Sequence, residues 1–171
     1  YRTASLSKQE EKEYPYLLKR DFSTDKINQK WVTDMTYIYT LSDGWCYLSS
    51  ILDLHSRKII AWRLSRQMET RLVIETLQDS LSTRTVADGL ILHSDRGSQY
   101  TSKEYNDYLE HHSIRHSYSA KGCPYDNSCI ESFHATIKKE CIYAKTNVGY
   151  KDFQTCYNSI FNDIEGFYYS R

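Results

Sequence analysis

The apolar pattern changes its period several times along the chain, and each change marks an element. From Trp31 to Thr40 (WVTDMTYIYT) β-branched and aromatic residues dominate, and period-two alternation puts Val32, Asp34, Thr36 and Ile38 on one face. Asp43-Gly44 is a hairpin turn signal, WCYLSSILDLH resumes the strand pattern, and KIIAWRLS follows Ser56-Arg57 at once. These three runs predict an antiparallel meander. The period then lengthens, because Leu72, Val73, Thr76, Leu77 and Leu81 share one face of a helix over 69–82. GLILHS is short and apolar throughout, as suits a strand covered on both faces. Thr101-Ser102 caps a helix reaching about His112, IRHSYS is a further strand and KGCPYDN a loop. Asp126 or Asn127 caps a helix to about Cys141, and 150–168 reads as a last helix. Residues 1–28 are polar, charged and aperiodic, a partly ordered leader or linker ahead of one domain over 29–171. The order β-β-β-α-β-α-β-α-α predicts an α/β fold. It is a mixed five-stranded sheet, its first three strands antiparallel, with helices on both faces.

Composition narrows the partners more than the fold. With 171 residues, 40% of them hydrophobic, the chain can bury the core of one ordinary domain. Lys plus Arg and Asp plus Glu both total 22, so no global positive field advertises nucleic acid, and such a partner has to be argued from a site. Five cysteines without a CxxC pair form neither a disulfide framework nor a zinc ribbon, which fits a reducing cytoplasm. No apolar run nears the roughly 18 residues of a membrane span, and YRTASLSKQE has no signal-peptide apolar region. No membrane partner is expected.

Candidate chemistry comes from carboxylates in costly places. Asp34 interrupts an apolar strand face, where a charge must be paired, hydrated at the sheet's end or bound to a cation. Asp95 ends the GLILHS run, and ligands of mixed sheets gather beyond such strand ends. In the next-to-last helix Ile130, Phe133, Ile137 and Cys141 form an anchoring stripe, with Asn127, Glu131 and Lys138 on a polar row about a quarter turn away. Glu131 can therefore meet Asp34 and Asp95. Three crowded carboxylates raise one another's pKa unless cations neutralise them, and oxygen donors without cysteine suit Mg²⁺ or Mn²⁺. Two such ions about 3.5–4 Å apart serve in-line phosphoryl displacement, so phosphodiester cutting or joining is the natural use.

Other residues read more plainly. Asp53 has a turn or local ion-pair role beside Ser56 and Arg57. His134 completes a single ExxH, which di-iron sites need twice, and reads as a surface or core-edge residue. His111, His112 and His116 belong to a helix end and a strand rather than a zinc set. Asn127 is a helix cap at the rim of the site, where a helix start also binds phosphate. Lys138 lies on the Glu131 side as a phosphate contact, and Lys139 reads equally as a contact or a solvated face.

WVTDMTYIYT, GWCYLSSILDLHSRKIIAWRLS, LILHSDRGSQYTS and GCPYDNSCIESFHATIKKE together resemble the catalytic core of bacterial insertion-sequence transposases of the retroviral-integrase-like superfamily, from about Asn28 to Arg171. The 35 residues between Asp95 and Glu131, and the basic Lys138 seven positions after the Glu, match the Asp-Asp-Glu pattern of that group. The resemblance implies a ribonuclease H-like fold with Asp34, Asp95 and Glu131 as catalytic metal ligands for two Mg²⁺ or Mn²⁺ ions. It implies cleavage at the ends of a mobile element and transfer of the freed 3′-hydroxyl to target DNA, without a covalent protein–DNA intermediate. From their places along the chain, Asn127, Lys138 and Lys139 are the candidate DNA contacts, with Arg96 and Gln99 in the loop beneath the DNA. A dimer or higher oligomer on DNA, in the bacterial cytoplasm at the nucleoid, is the expected setting. Cys123, His134 and Tyr169 depart from the Asn, Phe and Asn usual in the family, which touches fine DNA contacts and spares the carboxylates. The chain begins after the point where such transposases carry helix-turn-helix modules and stops short of their usual tail, so it reads as an excised catalytic domain. Two other readings remain open: a metal-dependent nuclease that does not join, and a domesticated non-catalytic module for DNA binding or assembly.

Overall fold

The meander forms because three β-rich runs alternate in phase. A computed structural model of the protein describes residues 8–19, 21–120, 127–143 and 149–166. Strands β1 (Lys30–Thr40), β2 (Gly44–Asp53) and β3 (Lys58–Ser65) pair antiparallel, with one irregularity at Ile51/Leu52. Gly44 takes the positive φ that the hairpin turn requires, at +72°. Strands β4 (Ile91–Ser94) and β5 (Arg115–Tyr118) add in parallel on the other side of β1, giving the order β3-β2-β1-β4-β5. The mixed five-stranded sheet predicted by the element order is the one observed.

Alternation along β1 divides the interior into two cores. Trp31 points into a cluster with Val73, Leu77, Leu92, Tyr105 and Leu109, under helices α2 (Thr70–Thr83) and α4 (Lys103–His111). Val32 and Ile38 point the opposite way, to Leu48, Leu52, Ile130, Ile137 and Ile160, under α5 (Ser128–Tyr143) and α6 (Phe153–Phe161). Short helices α1 (Lys8–Glu13) and α3 (Ser98–Thr101) complete the set.

Three elements differ from the pattern. A separate turn of helix, α3, precedes α4, and Ser102 caps α4 by accepting the Tyr105 N–H. The last helix begins at Phe153, because residues before it are used elsewhere. The amides of Leu41 and Ser42 donate to the carbonyls of Tyr150 and Lys151, and Asp152 then caps α6 through the Thr155 N–H at 2.8 Å. After Phe161 the helix loosens into a π turn over Asn162–Gly166. Within the aperiodic first segment, Pro15 accepts the Tyr118 N–H at 2.8 Å and Leu18 donates to the Ser117 hydroxyl. Leu18 is buried there, so the free edge of β5 is covered.

Candidate active site

β1 and β4 run side by side only as far as the Val32–His93 pair, and then part. Asp34 stands two residues beyond Val32, and Asp95 two residues beyond His93, so period-two alternation sends both to the same face of the gap. It is the face that α5 covers, and α5 carries Glu131. Three elements separated in sequence thus bring the predicted carboxylates together.

Their electrostatics record the crowding. Burial first, and then the charge and hydrogen bond of Asp34, push the Asp95 carboxyl above the ordinary carboxylate value; the Gly97 N–H, donating to Oδ1 at 2.7 Å, opposes this. Glu131, exposed on α5, is raised by partial desolvation and then by the charges of Asp34 and Asp95, with His134 acting the other way. No Lys or Arg figures among the groups acting on either residue. Such a set calls for external positive charge. Among the described residues no three His, Cys, Asp or Glu side chains close around a common point as a ready-made metal cage. The chemistry of the donors nevertheless fits Mg²⁺ or Mn²⁺, hard ions that take only one or two carboxylates and keep water or substrate phosphate in the remaining positions.

Behind the carboxylates the fold is fastened by polar groups that pattern reading does not expose. The Ser94 hydroxyl donates to the Asp95 carbonyl at 2.8 Å and lies 2.7 Å from His116 Nε2, whose ring is held on its other side by Asn106 Oδ1. Burial, with a smaller contribution from His93, pushes His116 down to about 3. Gly97 also leaves room for this approach: a Cβ there would stand 2.9 Å from Oδ1, so the carboxylate would have to give way. The one available signal was the Asp-x-Gly turn itself.

The secondary candidates are more dispersed. Asn127 is buried, 5% exposed, rather than set on an open rim beside Glu131. The helical turn preceding α5 carries it inward. Lys138 lays its ammonium over the Tyr37 ring, 5.0 Å from the centroid, while Lys139 is exposed. Arg96 turns inward: its Nε donates to the Ser119 carbonyl and its guanidinium lies over Tyr14. Gln99 is half-buried at the start of α3. His134 is buried rather than on the surface, because residue 134 lies one turn from Ile130 and Ile137 and so shares their inward side. Asp53 is fully buried and accepts from the Asn28 and Ser56 amides, a turn role. Cys123 and Tyr169 lie outside the described residues.

Comparison with known proteins agrees with this architecture. Residues 24–124 match the family model "Integrase core domain", and residues 112–162 match a second model of the same description. Over 149 residues, 87% of this chain and 50% of the relative, the sequence is 42% identical to transposase InsF for insertion sequence IS3A of Escherichia coli (strain K12). Over 139 residues, 81% of the chain and 52% of the relative, it is 40% identical to the transposase for insertion sequence element IS904 of Lactococcus lactis subsp. lactis (strain IL1403). The chain therefore spans about half the length of these curated relatives. Among solved structures, the HTLV-2 integrase catalytic core domain in complex with magnesium (trimeric form) superposes with a TM-score of 0.61 at 15% identity, covering 82% of this chain and 87% of that one. The simian T-cell lymphotropic virus intasome in complex with PP2A regulatory subunit B56 gamma gives 0.63 at 15% identity, covering 79% and 48%. The fold is thus that of retroviral integrase cores, which is ribonuclease H-like.

Proposed function

The chain belongs to the integrase core domain family, and from that premise we propose that Asp34, Asp95 and Glu131 are the metal-holding residues of a transposase core that cuts and joins DNA. The observation that carries the reading is that Asp34 and Asp95 share one face of the gap where β1 and β4 part, with the charge of Asp34 raising the Asp95 carboxyl and the charges of both raising that of Glu131. Asp34 and Asp95, on adjacent parting strands, would share the ions, and Glu131 would reach them from α5. Bound there, a pair of divalent ions supplies activation of the attacking oxygen and charge stabilisation at the leaving oxygen. Gly97 fixes the Asp95 carboxylate by its backbone N–H, and the Ser94–His116–Asn106 network fixes the strand end that bears it. Lys138 and Lys139, farther along α5, and Gln99 at the start of α3 are assigned to the passage of DNA. The partners in this reading are element ends and target DNA in the bacterial nucleoid, and self-assembly on DNA into a dimer or larger set. Among the described residues no helix is long and apolar enough to cross a membrane.

The test supplies the chain with DNA bearing a pre-cut 3′-hydroxyl end, in Mg²⁺ or Mn²⁺. Branched or integrated products are expected, and Asp95→Asn abolishes them while the protein stays folded. Shorter fragments alone identify a nuclease that does not join. Normal transfer by the variant contradicts the assignment of Asp95.

A further inference from the structure

His134 is surrounded in a way that its helix position alone does not require. It is 4% exposed; its Nε2 lies 3.0 Å from the Ser50 hydroxyl, and its Nδ1 lies 3.7 Å from Asp34 Oδ2. Ser50 is the residue directly opposite Asp34 in the β1–β2 register. One imidazole from α5 therefore spans a cross-strand pair of which Asp34 is a member. Nδ1 is also buried, with no hydrogen-bond partner among the described residues. A buried polar nitrogen left in that condition is unfavourable, and the group facing it is a carboxylate, which when ionised can only accept.

The tautomer follows from those neighbours. If the Ser50 hydroxyl donates to Nε2, the ring proton resides on Nδ1 and is aimed at Asp34 Oδ2. Contacts of this sort are often long before substrate or metal binds and tighten when the carboxylate is drawn into its working position. We propose that His134 is a positioning residue for Asp34: with its Nε2 side oriented by Ser50, its Nδ1–H fixes one carboxylate oxygen and leaves the other for a divalent cation. The role rests on the reading of Asp34 as a metal-holding residue. It corresponds to the outer groups that orient metal-bound carboxylates elsewhere, whose loss typically weakens metal binding by about 10–100-fold.

The two ring nitrogens can be tested separately, because Asn carries its amide near the place of Nδ1 and Gln near that of Nε2. Mn²⁺ alone is titrated into the parent chain and into His134→Asn, His134→Gln and His134→Phe, by calorimetry and by the electron paramagnetic resonance of the free ion. Far-ultraviolet circular dichroism verifies that each is folded. His134→Asn is expected to bind Mn²⁺ within a few-fold of the parent, whereas His134→Gln, which keeps only the Ser50 contact, weakens by about 10–100-fold. His134→Phe, where it folds, weakens likewise. Parent-like affinity in His134→Gln, or equal loss in the Asn and Gln variants, overturns the positioning role and leaves the metal site standing. Failure of the parent chain to bind Mn²⁺ overturns both.

Discussion

At the scale of single residues, the chain spends its constraints on Asp95. Gly97 is needed there for space, since an added Cβ would stand 2.9 Å from Asp95 Oδ1 and 3.2 Å from Gln99 Oε1. Gly97→Ala should therefore displace the carboxylate and weaken Mn²⁺ binding about tenfold in calorimetry, with the circular dichroism spectrum unchanged. Asp95 is also held above its ordinary carboxylate value by burial and by Asp34, so its charge is a cost to the metal-free fold. Asp95→Asn retains an oxygen for the Gly97 amide and removes that charge; its metal-free melting midpoint should rise by about 2–4 °C, the shift that roughly 1 kcal/mol gives in a chain of this size. A fall would mean that the carboxylate is a structural partner rather than a strained ligand. Asp34 stood out in the sequence because a charge at a core-facing strand position breaks the alternation, and Asp95 because it ends an apolar strand. His134, Ser50 and Ser94 were not, for their meaning lies in who stands across the sheet, and a polar residue in a strand has the same appearance whether it faces water or a carboxylate.

At the scale of elements, strong periodicity carried the most information. The meander and α2 were readable because their apolar positions repeat against a single face. Leu72, Val73, Thr76 and Leu77 are all buried as that face requires. The stretch around Pro15–Leu18 has no period to read, because it docks through long-range contacts: the Tyr118 N–H on the Pro15 carbonyl, the Leu18 N–H on the Ser117 hydroxyl, the Tyr16 ring beside His93 and the buried Leu18 side chain. Leu18 nevertheless joins the core of α5 and α6. Leu18→Ala should cost about 2–5 kcal/mol of stability in urea unfolding, a core-sized loss that no solvated linker residue would show. The start of the last helix was misplaced for a similar reason. Tyr150 and Lys151 bond to the end of the β1–β2 hairpin, a long-range pairing that overrides their local helical pattern.

At the scale of the whole molecule, acid stability should be governed by His116. Its folded-state pKa is pushed down to about 3, mainly by burial, against an ordinary 6.5, so the unfolded chain takes up a proton that the fold refuses. Stability is therefore full above about pH 6.5 and is lost as pH falls toward 3. By pH 5 the loss is about 2 kcal/mol, at 1.36 kcal/mol per unit. Asp95 and Glu131 have the opposite sign, since their raised carboxyls bind protons more readily in the fold and offset part of the loss in the carboxylate range. The metal-free midpoint should drop by several degrees between pH 7 and pH 5, and His116→Gln should flatten that slope. Net charge could not have disclosed the function of this molecule, because 22 basic and 22 acidic residues cancel and the acidic centre is local. The fold brings that centre together from β1, the end of β4 and α5. The most direct measurement is anomalous diffraction from a crystal of the chain grown with Mn²⁺. Metal density is expected within coordination distance of Asp34 and Asp95, reached by Glu131 directly or through water. Well-ordered Mn²⁺ elsewhere, with that gap empty at saturating concentration, would contradict that expectation.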